Sequence, residues 1–188
     1  MSQLIHVSGP DAGRSATIIF VHGIAGHAYD TFRDKLTVDV NEDETYWPRW
    51  LADAFPGANV STFSYEAPRL TWFGTAMPIL ERAKNLLKTL SLNLAGGDGP
   101  IIFVCHSLGG LIVKELMLEL QAQGEAEATA LFMRIMGVVF IATPHLGSHQ
   151  AGWLDRFRLW TWPSPATLGL LNDDPLLSKI NTGYQRLA

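Results

Sequence analysis

Residues 101–113, Ile-Ile-Phe-Val-Cys-His-Ser-Leu-Gly-Gly-Leu-Ile-Val, constrain this chain more than any other stretch. Ile101–Val104 are four apolar, mostly β-branched residues behind a Gly-Pro break, the pattern of a strand buried on both faces. From Gly109 the period changes. Leu111, Ile112, Leu116 and Leu120 recur at helical spacing, with Lys114, Glu115 and Glu119 between them. A strand that becomes a helix across Cys-His-Ser-Leu-Gly is the setting of the G-x-S-x-G turn, the nucleophile elbow. Small residues flank such a serine because strand and helix approach closely, and Gly109–Gly110 meet that need. The helix N-terminus would point the Leu108 N–H and a positive dipole end at any oxyanion forming beside Ser107. Cys105 replaces glycine at the first position of the pattern. The competing reading is an ordinary turn whose serine caps a helix.

A second stretch strengthens the first. Ala16–Val21 (Ala-Thr-Ile-Ile-Phe-Val) reads as another buried strand and runs into His22-Gly23-Ile24-Ala25-Gly26. In enzymes with a nucleophile elbow, a glycine-containing loop after an earlier strand supplies a second oxyanion N–H. That donor is assigned to Ile24, with Gly23 setting the path and His22 bracing the loop. The alternative for His22 is a loop histidine without a task.

The remaining segments alternate between strand and helix patterns. Leu4–Val7 alternates weakly, as an edge strand does, and 28–44 is a polar, charged surface excursion. Thr45 is placed to cap a helix through Trp47–Asp53, with Pro48 in its first turn and Pro56-Gly57 closing it. Val60–Tyr65 alternates as a strand, and Ile79, Leu80, Ala83, Leu86, Leu87 and Leu90 form one helical stripe. Gln121–Thr129 is polar, Met133–Ala142 contains a buried strand, and Pro175–Tyr184 is a short helical stretch. The expectation is an α/β domain with a mostly parallel central sheet and helices on both faces. One domain fits 188 residues, with a core over 1–148 and a cap-like or partial C-terminal region over 149–188.

Composition removes several classes of function. Hydrophobic residues at 47% and charged residues at 17% indicate a packed globular chain. A formal net charge of −4 argues against nucleic acid as the main partner. A single cysteine provides neither a disulfide framework nor a metal cluster, so no cofactor or metal is expected and a reducing, cytoplasmic setting is. Met1–Pro10 lacks a basic n-region, and no apolar run approaches the roughly 20 residues of a membrane span. Composition leaves the oligomeric state open.

Four signatures together resemble one family. They are Phe-Val-His-Gly-Ile (20–24), Trp-Pro-Arg-Trp-Leu (47–51), Phe-Val-Cys-His-Ser-Leu-Gly-Gly-Leu-Ile-Val-Lys (103–114) and Ile-Ala-Thr-Pro-His-Leu-Gly-Ser (141–148). The chain is similar to α/β-hydrolases of the lipase-like branch, which includes serine-active-site-containing proteins and GPI inositol-deacylases. The resemblance extends from about residue 17 to 148. It implies that Ser107 is the nucleophile, that the Ile24 and Leu108 N–H groups hold the oxyanion, and that the work belongs to lipid metabolism.

The triad in this fold follows the order Ser, acid, His. After Ala142 no further strand is evident, so the fold is expected to break off before its last strands, and the acid and His are not apparent. An N-terminal piece of a longer protein, an incomplete site and local substitutes are the three ways to account for that. The local candidates are His145 as base and Asp155 or Asp173 as acid, with His149 weaker. Their competing readings are a histidine shaping the pocket edge and solvated loop carboxylates. The expectation is that activity needs a histidine outside 1–188. Trp72, Phe73, Trp153, Trp160 and Trp162 would line an acyl pocket or lid, or serve as cap packing. The leading function is a serine hydrolase that cleaves carboxylic ester or lipid-ester bonds through an acyl-enzyme on Ser107. The alternative is a catalytically silent hydrolase-like module for binding or signalling in a larger protein. Acyl transfer to a non-water acceptor would use the same residues.

Overall fold

Five strands form one sheet in a computed structural model that describes residues 2–9, 15–23, 26–34, 42–66, 77–94, 97–145 and 175–187. They are β1 (Gln3–Ser8), β2 (Ala16–Val21), β3 (Ala58–Ser64), β4 (Ile101–His106) and β5 (Ile135–Ile141), in the order β1-β3-β2-β4-β5. Only β1 runs antiparallel, against β3; the other pairs are parallel. Among the described residues five α-helices accompany them: α1 (Trp47–Ala54), α2 (Met77–Leu94), α3 (Gly109–Gln123), α4 (Ala126–Arg134) and α5 (Pro175–Gln185).

Alternation along the strands separates two cores. Ile18 and Phe20 of β2 and Val104 of β4 join Val60, Ala52, Phe32 and Tyr46 on the face covered by α1. Ile19, Val21, Phe63, Phe103 and Cys105 point the other way, into the larger cluster with α2, α3 and α5. Helices therefore cover both faces. The α3 helix is the most deeply set, with Leu111, Ile112, Val113, Leu116 and Leu120 fully buried.

The order of the strands locates the site. From β2 the chain crosses to β3 on one side, then returns past β2 to lay down β4 and β5 on the other. In open parallel sheets the crevice for a ligand opens where the winding reverses, outside the carboxyl ends of the two strands concerned. Those strands are β2 and β4, paired from Thr17↔Ile101 to Val21↔Cys105. Their next residues lead directly into His22-Gly23 and His106-Ser107.

Four sequence expectations need correction. Thr45 does not cap α1; it ends a 3-10 turn over Glu42–Thr45, and Tyr46 occupies the cap position with no side-chain cap bond. β3 does not alternate but is buried through Phe63, because β1 closes its outer edge. Two of its polar residues pair with each other: the Ser61 hydroxyl donates to Asn59 Oδ1 at 3.0 Å. The polar stretch after α3 contains a helix, since Gly124 takes a left-handed φ of 64° and α4 starts two residues later. β5 is half-buried, with Met136 71% and Val139 49% exposed, because it is the last strand of the sheet among the described residues. Met133 and Arg134 belong to α4.

Candidate active site

Ser107 sits between β4 and α3 with φ +54°, in the left-handed region that side chains rarely adopt. Its backbone is held on both sides. The Ser107 N–H donates to the Ile141 carbonyl at 2.8 Å, and its own carbonyl accepts from Gly110 N–H at 3.2 Å. The Thr143 hydroxyl donates to the same carbonyl at 2.9 Å. The serine is 7% exposed. α3 begins at Gly109, with Leu108 at its cap position.

Absent β-carbons make this packing possible. A Cβ on Gly109 would strike the Val21 and His22 carbonyls, and one on Gly110 would strike Thr143. A Cβ on Gly23 would lie 2.8 Å from Ser107 Cβ and 3.1 Å from the Leu108 nitrogen. Gly23 thus lies against the serine turn and beside the Leu108 amide. Ile24 itself lies outside the described residues.

His22 is 1% exposed and stacks on Tyr65, with ring centroids 4.2 Å apart at an interplanar angle of 6°. Its Nδ1 is 2.9 Å from the Gly23 carbonyl, which can only accept, so Nδ1 carries the proton. The Gly26 N–H also reaches that carbonyl, at 3.2 Å. Tyr65 closes the arrangement by donating its hydroxyl to the His22 carbonyl at 2.6 Å. Nε2 is buried without a hydrogen-bond partner among the described residues. Burial pushes the ring's pKa down to about 4, outweighing the Gly23 bond that raises it, so His22 is neutral near neutral pH.

His145 stands at the end of the segment after β5, where Lys114 Nζ donates to its Nδ1 at 2.9 Å. An ammonium has only donors, so Nδ1 accepts and the neutral ring carries its proton on Nε2. To act as a base the ring would first have to release Lys114. Partial burial and then the Lys114 charge both lower its pKa. His106 is lowered by burial. His27 is exposed, with Nδ1 3.9 Å from Asp30 Oδ2. Cys105 is fully buried and burial raises its thiol pKa, so it packs as a small apolar residue. His149, Asp155, Asp173 and the aromatic residues Trp72, Phe73, Trp153, Trp160 and Trp162 lie outside the described residues. Among the described residues no cluster of His, Cys, Asp or Glu has the spacing to hold a metal, and no helix is long and apolar enough to cross a membrane. Sequence reasoning missed Thr143 and Lys114 as parts of this site, although both fall in quoted signatures. Neither carries a local signal, because each acts on a residue far along the chain.

A mostly parallel sheet covered on both faces, with a left-handed serine turn at its reversal point, is the architecture of the α/β-hydrolase fold. The chain belongs to the family described as "Putative serine esterase (DUF676)", whose model matches residues 14–153. Protein SERAC1 from Bos taurus is 32% identical over 188 residues, covering 92% of this chain. The human SERAC1 protein is 29% identical over 188 residues, again covering 92% of this chain. The chain spans 28% of the length of these relatives. Among solved structures, Bacillus licheniformis lipase BlEst2 is similar with a TM-score of 0.49 and 17% identity, over 100% of this chain and 63% of that one. The type II thioesterase YbtT is similar with a TM-score of 0.47 and 17% identity, over 98% of this chain and 66% of that one.

Proposed function

We propose that Ser107 is the nucleophile of a serine esterase that cleaves carboxylic esters, lipid esters among them, through an acyl-enzyme. The observation that carries this is the left-handed backbone of Ser107 packed against Gly23 at the reversal point of the sheet. A serine that only capped a helix would have no need of the left-handed conformation. In this reading the Ser107 oxygen attacks the ester carbonyl carbon, and its proton passes to a base. The carbonyl oxygen becomes an oxyanion between the N–H groups of Leu108 and Ile24, the carbonyl reforms as the alcohol leaves, and water then hydrolyses the acyl-serine.

His22 fits as the brace of this loop. The Gly23 carbonyl and the N–H of residue 24 belong to one planar peptide and point in opposite directions. Fixing that carbonyl from His22 Nδ1 and Gly26 N–H therefore aims the N–H on its far side. Being neutral near neutral pH, His22 acts on the loop through its Nδ1–H rather than through a charge. The proton acceptor is assigned to residues outside those described, since His145 is engaged by Lys114.

The alternative is a silent hydrolase-like module that binds rather than cleaves. A fluorophosphonate probe separates the two. Adduct at Ser107, found by mass spectrometry and absent in Ser107→Ala, is the expected result. A folded protein that neither takes the probe nor hydrolyses p-nitrophenyl esters would leave the binding module as the better account.

A further inference from the structure

Holding the turn at Ser107 means holding two kinks. Ser107 and Ala142, with φ of 54° and 51°, are the non-glycine residues of positive φ among those described. They follow paired residues of adjacent strands, His106 opposite Ile141. Such backbones are unfavourable for any residue with a β-carbon and persist only where their surroundings fix them. The Ile141 carbonyl and the Thr143 hydroxyl, on either side of Ala142, are both bonded to Ser107. The segment 141–145 and the serine turn therefore keep or lose their conformations together.

The far end of that segment is tied by Lys114. This side chain is 1% exposed and donates to His145 Nδ1 at 2.9 Å and to Asn181 Oδ1 of α5 at 2.5 Å. Its ammonium also lies 5.0 and 5.3 Å from the ring centroids of Phe140 and Tyr184. Among the described residues no carboxylate forms an ion pair with it. A buried cation is costly to desolvate, and neutral partners with two ring faces offset that only in part. A methionine would fill the same space without that cost, so the charge needs another reason.

We infer that, given Ser107 as nucleophile, Lys114 is a positioning residue that holds the serine turn through His145 and the segment 141–145. The hydrogen bonds of Lys114 go to His145 and Asn181, not to Ser107. Its effect passes along the anchored segment, from His145 to Thr143 and from Thr143 to the Ser107 carbonyl.

The test compares Lys114→Met, Thr143→Val and the double variant, all in the full-length protein. In Lys114→Met, deuterium uptake at the Ser107 amide should rise at least tenfold while peptides from β2 stay unchanged. Hydrolysis of p-nitrophenyl butyrate should lose about tenfold to a hundredfold in kcat, the cost of small misplacement, with KM nearly constant. Because both residues act along one path, the double variant should lose no more than the worse single one. Unchanged uptake at Ser107, or losses that multiply in the double variant, would overturn the inference. Should Lys114→Met not fold, His145→Phe removes the same link while keeping a ring against Phe140, and the same uptake result decides. If the wild-type protein never takes a fluorophosphonate at Ser107, the esterase reading fails by itself. Ser107 uptake then decides for Lys114 alone: faster exchange upholds the anchor and unchanged exchange refutes it.

Discussion

At the scale of single residues the proposed site depends on what is missing at position 23. A Cβ there would press on the Ser107 side chain and the Leu108 amide, so any substitution has to move the loop or the serine. Gly23→Val should lower kcat by about 10²-fold or more, the scale of losing one oxyanion donor. Ile24→Leu should be nearly silent, because its proposed contribution is a backbone N–H. Ester hydrolysis with thermal melts as a folding control checks both, and a folded Gly23→Val with full kcat would remove the loop from the mechanism. His22 makes a separate prediction about pH. Unfolded, its ring takes a proton as pH falls through 6.5; folded, it resists until about 4. The unfolded state thus binds more protons in that window, and His22 costs stability as pH drops from 6.5 to 4. Melting temperature should fall less steeply over this range in His22→Gln than in the wild type.

At the scale of elements, α3 links the core to the site. Its Leu116 is fully buried in the larger cluster, and Leu116→Ala should cost about 2–5 kcal/mol in a denaturant titration. A result below about 1 kcal/mol would mean that the helix relaxes far more readily than a close-packed core allows. Where α3 ends, Gly124 at φ +64° meets nothing within 4 Å of an added Cβ, so strain alone decides the effect of substitution. Gly124→Ala should destabilise by about 1 kcal/mol. The same glycine marks where sequence reasoning fell short. A glycine after a helix signals a stop, and Ala126–Arg134 holds good helix formers, yet its polar start concealed the Ala128–Leu131 contact with the core. β5 was recognised as a strand, but its half-exposed face depends on what lies beside it in the sheet.

At the scale of the molecule, the reversal of winding between β2 and β4 brings the glycine loop and the serine together. The family relatives are far longer than this chain, which spans 28% of the bovine protein. If the base for Ser107 lies outside residues 1–188, a form of the protein extended to the length of those relatives should react faster with a fluorophosphonate than the 188-residue chain. Equal rates would return the base to residues 1–188, with His145 first among those described. Tandem measurement of the two labelling rates at Ser107 checks this.

The sequence by itself determined the features that neighbours along the chain enforce. Buried strands at Ala16–Val21 and Ile101–Val104, the helix from Gly109 and the turn between them follow from side-chain period and from glycine, both local properties. The family resemblance rested on the same short stretches. Only the tertiary structure decided which strands adjoin, that Gly23 packs on Ser107, and that Lys114 reaches His145 and Asn181, 31 and 67 residues away. Those contacts depend on how the sheet is wound and which helix covers which face. Periodicity says that a residue is buried, but not what it is buried against.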